Sequence, residues 1–117
     1  MQAPEAFFKA LSDPTRLRSL LLLLSEQRLC VCEFVEALDL SQPLVSRHLG
    51  QLRDLGIVQD ERRGQWVYYR LHPQLPDWAR QVLATAAAAE PMVEPLARVH
   101  ARLAAMHKRP SPACSPR

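Results

Sequence analysis

Apolar residues recur three and four positions apart through the first half of the chain, then give way to a shorter, strand-like rhythm. Leu17, Leu20, Leu21 and Leu24 stand at i, i+3, i+4 and i+7, the spacing that lines one face of a helix. Val31, Phe34, Val35 and Leu38 repeat it. Val45, Leu49 and Leu52 form a further stripe, and Phe7, Phe8 and Leu11 mark a short opening helix. The punctuation agrees with the periodicity. Asp13 is a capping residue and Pro14 suits a first helical position. Leu38-Asp39-Leu40 makes a short turn, Ser41 can cap the next helix with Pro43 in its first turn, and Gly56 stops it.

Beyond Gly56 the pattern predicts a β-hairpin. Ile57 to Glu61 is one strand, and Gln65 to Leu71, rich in Trp, Val and Tyr, is the other. Arg62-Arg63-Gly64 is the expected turn. After Pro73 and Pro76 a helix starts near Asp77-Trp78, runs through Ala84 to Ala89, and resumes with Leu96, Val99 and Leu103. Pro91 and Pro95 lie between those stretches, so a kink or two consecutive helices is expected. The Pro/Ser-rich residues from Arg109 onward read as a disordered tail. The domain expectation is therefore one unit over residues 1–108 and a tail over 109–117.

Two helices joined by a short turn and followed by a basic-tipped hairpin predict a winged helix-turn-helix. The fold class is mainly α with a β-hairpin. If Val45, Leu49 and Leu52 face inward, then Gln42, Ser46, Arg47 and Arg53 face outward. Such side chains bond base edges and phosphates in a major groove. Ser41 and Gln42 stand at the helix N-terminus, the end that enters the groove most deeply in this motif. Arg62 and Arg63 at the hairpin tip suit backbone or minor-groove contact.

The formal charge of +3 over 117 residues is mildly basic. It is compatible with nucleic acid without demanding it. No apolar run reaches the roughly 18 residues of a membrane span, and no basic region leads into an apolar stretch at the N-terminus. The expectation is a cytoplasmic protein with no membrane partner. Glu33, Asp39, Asp54, His48 and His72 are scattered, and no nucleophile or acid/base pair organises them. With three glycines there is no phosphate-cradling loop. An enzyme is not expected. A helical interaction module that never touches DNA is the other class, and salt-dependent binding to duplex DNA separates it.

Three cysteines, Cys30, Cys32 and Cys114, carry the sharpest chemistry. In a reducing compartment such thiols act more often as ligands or redox groups than as structural disulfides. Thiolates select soft, thiophilic ions. On a regular helix residues two apart point to nearly opposite sides. If Cys30 and Cys32 both lie on the third helix, an ion bridging them would have to unwind its first turn and so shift the DNA-reading helix.

Four segments carry a resemblance: Asp13-Pro14-Thr15-Arg16, Leu29-Cys30-Val31-Cys32-Glu33, Ser41 through Leu49, and Gly64 through Leu71. In that order the chain resembles the ArsR/SmtB metal-responsive repressors, most of all their arsenic-responsive branch, over roughly residues 5 to 90. The resemblance implies a homodimer on palindromic operator DNA, with α-helical dimerisation elements at both ends of the domain, that leaves the DNA when ligand binds. It implies DNA reading by Ser41, Gln42, Ser46, Arg47 and His48, with a wing at Arg62 and Arg63. It also implies As(III) or Sb(III) as inducer, with no organic cofactor, and ligands at Cys30 and Cys32. The third cysteine often found in such sensors is replaced here by Val35, which leaves Cys114 as a candidate. Zinc-sensing relatives use Asp and His on the last helix. Here Asp77 is present but Ala79 and Glu90 stand where that pattern needs other residues, and His100 and His107 fall two turns apart. A cadmium, lead or zinc sensor, or a thiol-redox switch of the same fold, is the alternative.

Overall fold

The computed structural model describes residues 3–89 and 96–106. Seven helical and strand elements build the central domain in the order expected, with one addition. Helix α1 spans Pro4–Leu11 and α2 spans Pro14–Glu26. Asp13 caps α2, accepting from the N–H groups of Thr15 (2.8 Å) and Arg16 (3.1 Å), which satisfies two donors that a helix start leaves unpaired. The apolar run Leu20 to Leu23 is fully buried. It forms the middle of the core, and each such leucine stabilises the fold by about 1.5–3 kcal/mol.

The addition is a short strand, β1, at Arg28–Cys30. It is entered through Gln27, whose φ of 73° turns the chain out of α2. Helix α3 follows at Val31–Leu38, ends on Asp39 in the left-handed region, and gives way to α4 at Gln42–Asp54. Val45, Leu49 and Leu52 on α4 are all buried, so the inward stripe read from periodicity holds. Gly56, at φ 78°, takes the chain out of the helix.

Strands β2 (Val58–Arg63) and β3 (Trp66–Leu71) form the hairpin, and β1 pairs with the other edge of β3. The sheet is antiparallel, ordered β1-β3-β2. Its outer strand carries Arg62 and Arg63 opposite Val67 and Trp66. That corrects the expected turn: both arginines belong to β2, and the loop is Gly64-Gln65. Gly64 at φ 61° supplies the positive φ that tight hairpin loops need.

Helix α5 covers Asp77–Ala88 and α6 covers Leu96–Ala104. The last helical region is thus two helices. Pro91 and Pro95, with the rest of 90–95 and 107–117, lie outside the described residues. Val99 and Leu103 bury α6 against the core. Arg102 on α6 donates from Nε to the carbonyl of Ala37 (2.9 Å), in the last turn of α3, where a cation also meets the negative end of the helix dipole.

Candidate functional site

The exposed side of α4 gathers most of the side chains expected to read DNA. Ser41 is its N-cap, and its Oγ accepts from the N–H of Leu44 (3.4 Å). Gln42 donates to the Oγ of Ser46 across one turn (3.4 Å). Arg47 is exposed and has no acidic partner among the described residues. Arg62 on the wing is in the same condition, whereas Arg63 pairs with Glu61 (3.2 Å). Arg53 is tied to Asp54 (3.3 Å) and reaches Asp60 on β2 (3.5 Å). It thereby braces the reading helix against the wing.

His48 does not join this face, and its expected place there is corrected. It is buried, at 8% exposure, because it falls beside Leu49 on the inward side of α4. Its Nε2 lies 3.9 Å from the carboxylate of Asp13, and its Nδ1 has no partner. Burial pushes the Asp13 carboxyl up, but the N–H of Arg16, the charge of His48 and the N–H of Thr15 outweigh it and hold it below 3.8. One residue therefore caps α2 and faces α4.

The thiol pair departs from the helical premise in a different way. Cys30 is the last residue of β1 and the N-cap of α3, with φ −75° and ψ 153°. Only Cys32 is inside the helix. Extended backbone at Cys30 turns its side chain toward the helix start, and the two sulfurs lie 3.4 Å apart, with Cys32 donating. The expectation that the helix must unwind to bring the sulfurs together is corrected accordingly. Glu33 locks this entry: its Oε1 accepts the N–H of Cys30 (2.8 Å), as in a capping box.

The electrostatics follow from this geometry. The hydrogen bond from Cys32 draws the Cys30 thiol down to about 7. Burial opposes that shift, and the N–H groups of Cys32 and Val67 reinforce it. Cys32 is pushed up, first because it donates to Cys30 and then by burial. Around neutrality the pair thus passes from two protons to one, with the developing charge on Cys30.

Cys30 and Cys32 both line a hollow whose other walls include Gln42, Ser46, Arg62 and Trp66. The thiol pair, the start of the reading helix and the wing strand therefore share one space. Among the described residues, no group of three or more His, Cys, Asp or Glu is placed to hold a metal ion. His100 pairs instead with Glu26 (3.7 Å). Glu90, His107 and Cys114 lie outside the described residues.

Residues 13–60, from the Asp13 cap to the wing strand, match the family described as bacterial regulatory protein, arsR family. The arsenical resistance operon repressor of Escherichia coli is 49% identical over 80 residues, 68% of this chain and 68% of that protein. The chain belongs to the arsR family. Like other members of this family of DNA-binding transcriptional regulators, it is not an enzyme. The arsenic resistance transcriptional regulator ArsR1 of Pseudomonas putida is 58% identical over 80 residues, 68% of this chain. The chain spans 62% of that regulator's length. Among solved structures, the AntR antimony-specific transcriptional repressor superposes with a TM-score of 0.62 at 29% identity, over 70% of this chain and 71% of that one.

Within this arsR-family regulator, sequence reasoning missed Gln65, Trp66 and Val67 as neighbours of the thiols. The signal was weak. Their placement depends on β1 pairing with β3, which sets Cys30 opposite Tyr68, and a three-residue strand has no periodicity to read. Arg102 was missed for a similar reason, since its partner is a backbone carbonyl 65 positions away.

Proposed function

We propose that this chain is a metalloid-responsive transcriptional repressor. It acts in the cytoplasm, binds operator DNA as a homodimer, and releases it when trivalent arsenic or antimony binds Cys30 and Cys32. The observation that carries the reading is the pair of sulfurs 3.4 Å apart in a hollow shared with the reading helix. Thiolate bonds to a soft ion of about 2.3 Å, as zinc makes, would subtend about 95° across that gap. Such an angle is narrower than tetrahedral and suits a pyramidal centre with a lone pair in the fourth direction. The names of the relatives point to the same ions.

Ser41, Gln42, Ser46, Arg47 and Arg62 are the proposed DNA contacts. Arg63 supports them from the wing, and His48 acts from beneath the helix through Asp13. Ligand at the thiols would alter the start of α3 and fill the hollow beside Gln42 and Ser46. A coupling of about 1–3 kcal/mol is enough for a switch. The dimer reading rests on an aromatic patch. Phe8 (52% exposed) and Trp78 (37% exposed) lie together on α1 and α5, with the buried Phe7 beneath both. A second copy covering that patch would align two reading helices with two half-sites.

Arsenite binding to the free protein tests the ligand site. Ultraviolet absorption from arsenic–thiolate bonds grows in the wild type and is absent from Cys30→Ser/Cys32→Ser. Equal absorption in both proteins removes the pair as the site. A redox reading draws on the same 3.4 Å contact, which would have to close to about 2.05 Å in a strained small ring. DNA release by oxidant alone, reversed by dithiothreitol, would favour it.

A further inference from the structure

We infer that the third position on the bound metalloid is filled by a small thiol from solution that carries carboxylates, seated in the hollow beside Cys30 and Cys32. The inference rests on the sensor reading above. The hollow measures about 410 Å³, within the range of small-molecule sites and far more than one ion requires. The described residues offer two sulfurs there and no third ligand. Glu33, the nearest acid in sequence, is buried and accepts the N–H of Cys30.

The walls say what kind of thiol fits. Gln42, Gln65 and Ser46 present side chains that both donate and accept, and Arg62 adds a guanidinium without an acidic partner among the described residues. The one acid in the lining, Asp60, is answered by Arg53 at 3.5 Å. Trp66, also in the wall, keeps its indole Nε1 buried without an acceptor. The hollow therefore holds a guanidinium and an indole N–H that lack an acceptor, while its single carboxylate is already paired. An occupant with carboxylates supplies what it lacks, through charge-assisted hydrogen bonds.

The chemistry balances without any redox change. Each arsenic–sulfur bond forms as one hydroxyl of arsenous acid leaves as water, with the proton of the incoming thiol or, where that sulfur is already a thiolate, with a proton from solvent. Arsenic stays trivalent. Two of these exchanges use Cys32 and Cys30, and the third uses the free thiol. The occupant then takes up Gln42, Ser46 and Arg62, the same side chains proposed to hold DNA. Ligand and operator become alternatives for one set of donors.

The test uses full-length Cys114→Ser protein and arsenite, with reduced glutathione, with 2-mercaptoethanol at equal concentration, or with no thiol. Arsenic X-ray absorption counts the sulfurs, and ultraviolet titration gives the affinity. The expected result is three sulfurs with glutathione and about tenfold tighter binding than with 2-mercaptoethanol, the worth of one good ionic hydrogen bond. Arg62→Gln is expected to narrow that ratio. Two sulfurs at saturation, or equal affinity with either thiol, overturns this inference and leaves the sensor reading standing. No arsenite binding under any condition overturns both.

Discussion

The sulfur of Cys32 donates to the sulfur of Cys30 across 3.4 Å, although residues two apart on a helix face away from each other. The contact exists because Cys30 ends a strand while Cys32 begins a helix. The pair should therefore titrate as a unit. One proton leaves with an apparent pKa of about 7, and the second stays on past the ordinary thiol range because Cys32 is pushed up. Replacing Cys32 with alanine removes the donor and should return Cys30 toward 9.0. Ultraviolet thiolate absorbance against pH reads both proteins. The linkage has a sign as well. A depressed thiol pKa adds stability as pH rises from about 7 toward 9.0, and the raised Cys32 takes stability away above 9.0.

Asp13 should be worth more than an ordinary surface acid. Asp13→Ala removes the acceptor for two helix N–H groups and should cost about 1 kcal/mol at neutral pH. Because the Asp13 carboxyl is held below 3.8, its ionic contribution is present above that value and lost as pH falls through the lower folded value. Urea midpoints of wild type and variant should thus converge in acid. A gap that stays constant with pH would mean that the carboxylate charge plays no part.

Arg47 and Arg62 should behave as phosphate contacts. Each alanine variant is expected to weaken binding to all duplexes alike and to lower the salt slope by about one. Arg63→Ala should do less, since Glu61 already holds that guanidinium at 3.2 Å. Fluorescence anisotropy with labelled DNA over a range of salt measures the slopes.

Phe8 should matter to assembly and not to the fold, because Phe7 carries the buried contact and Phe8 is 52% exposed. Phe8→Ser is expected to move sedimentation equilibrium toward the monomer with little change in circular dichroism. A variant that remains as dimeric as wild type would take the α1–α5 patch out of the interface.

Short-range periodicity made most of the helices legible. The stripe Val45, Leu49, Leu52 and the caps Asp13 and Ser41 are local signals, and each is where the spacing put it. The outward set of exposed Gln42 and Arg47 and half-buried Ser46 follows from that stripe by subtraction. What stayed hidden was set by partners distant in the chain. Strand β1 is three residues long and exists because β3 accepts it. That pairing moves Cys30 out of the helix and brings Val67 to its sulfur. His48 carries a polar side chain on a polar-looking helix, yet it is buried beside Leu49 and faces Asp13, a residue far back in the chain.

Operator DNA release, titrated with arsenite on wild type, Cys30→Ser/Cys32→Ser and Cys114→Ser, decides whether the thiol pair is the sensor. Arsenite is expected to free DNA from the wild type and the Cys114 variant and to leave the double variant bound. Release of the double variant at the same arsenite concentration, or no release of the wild type, would contradict that assignment.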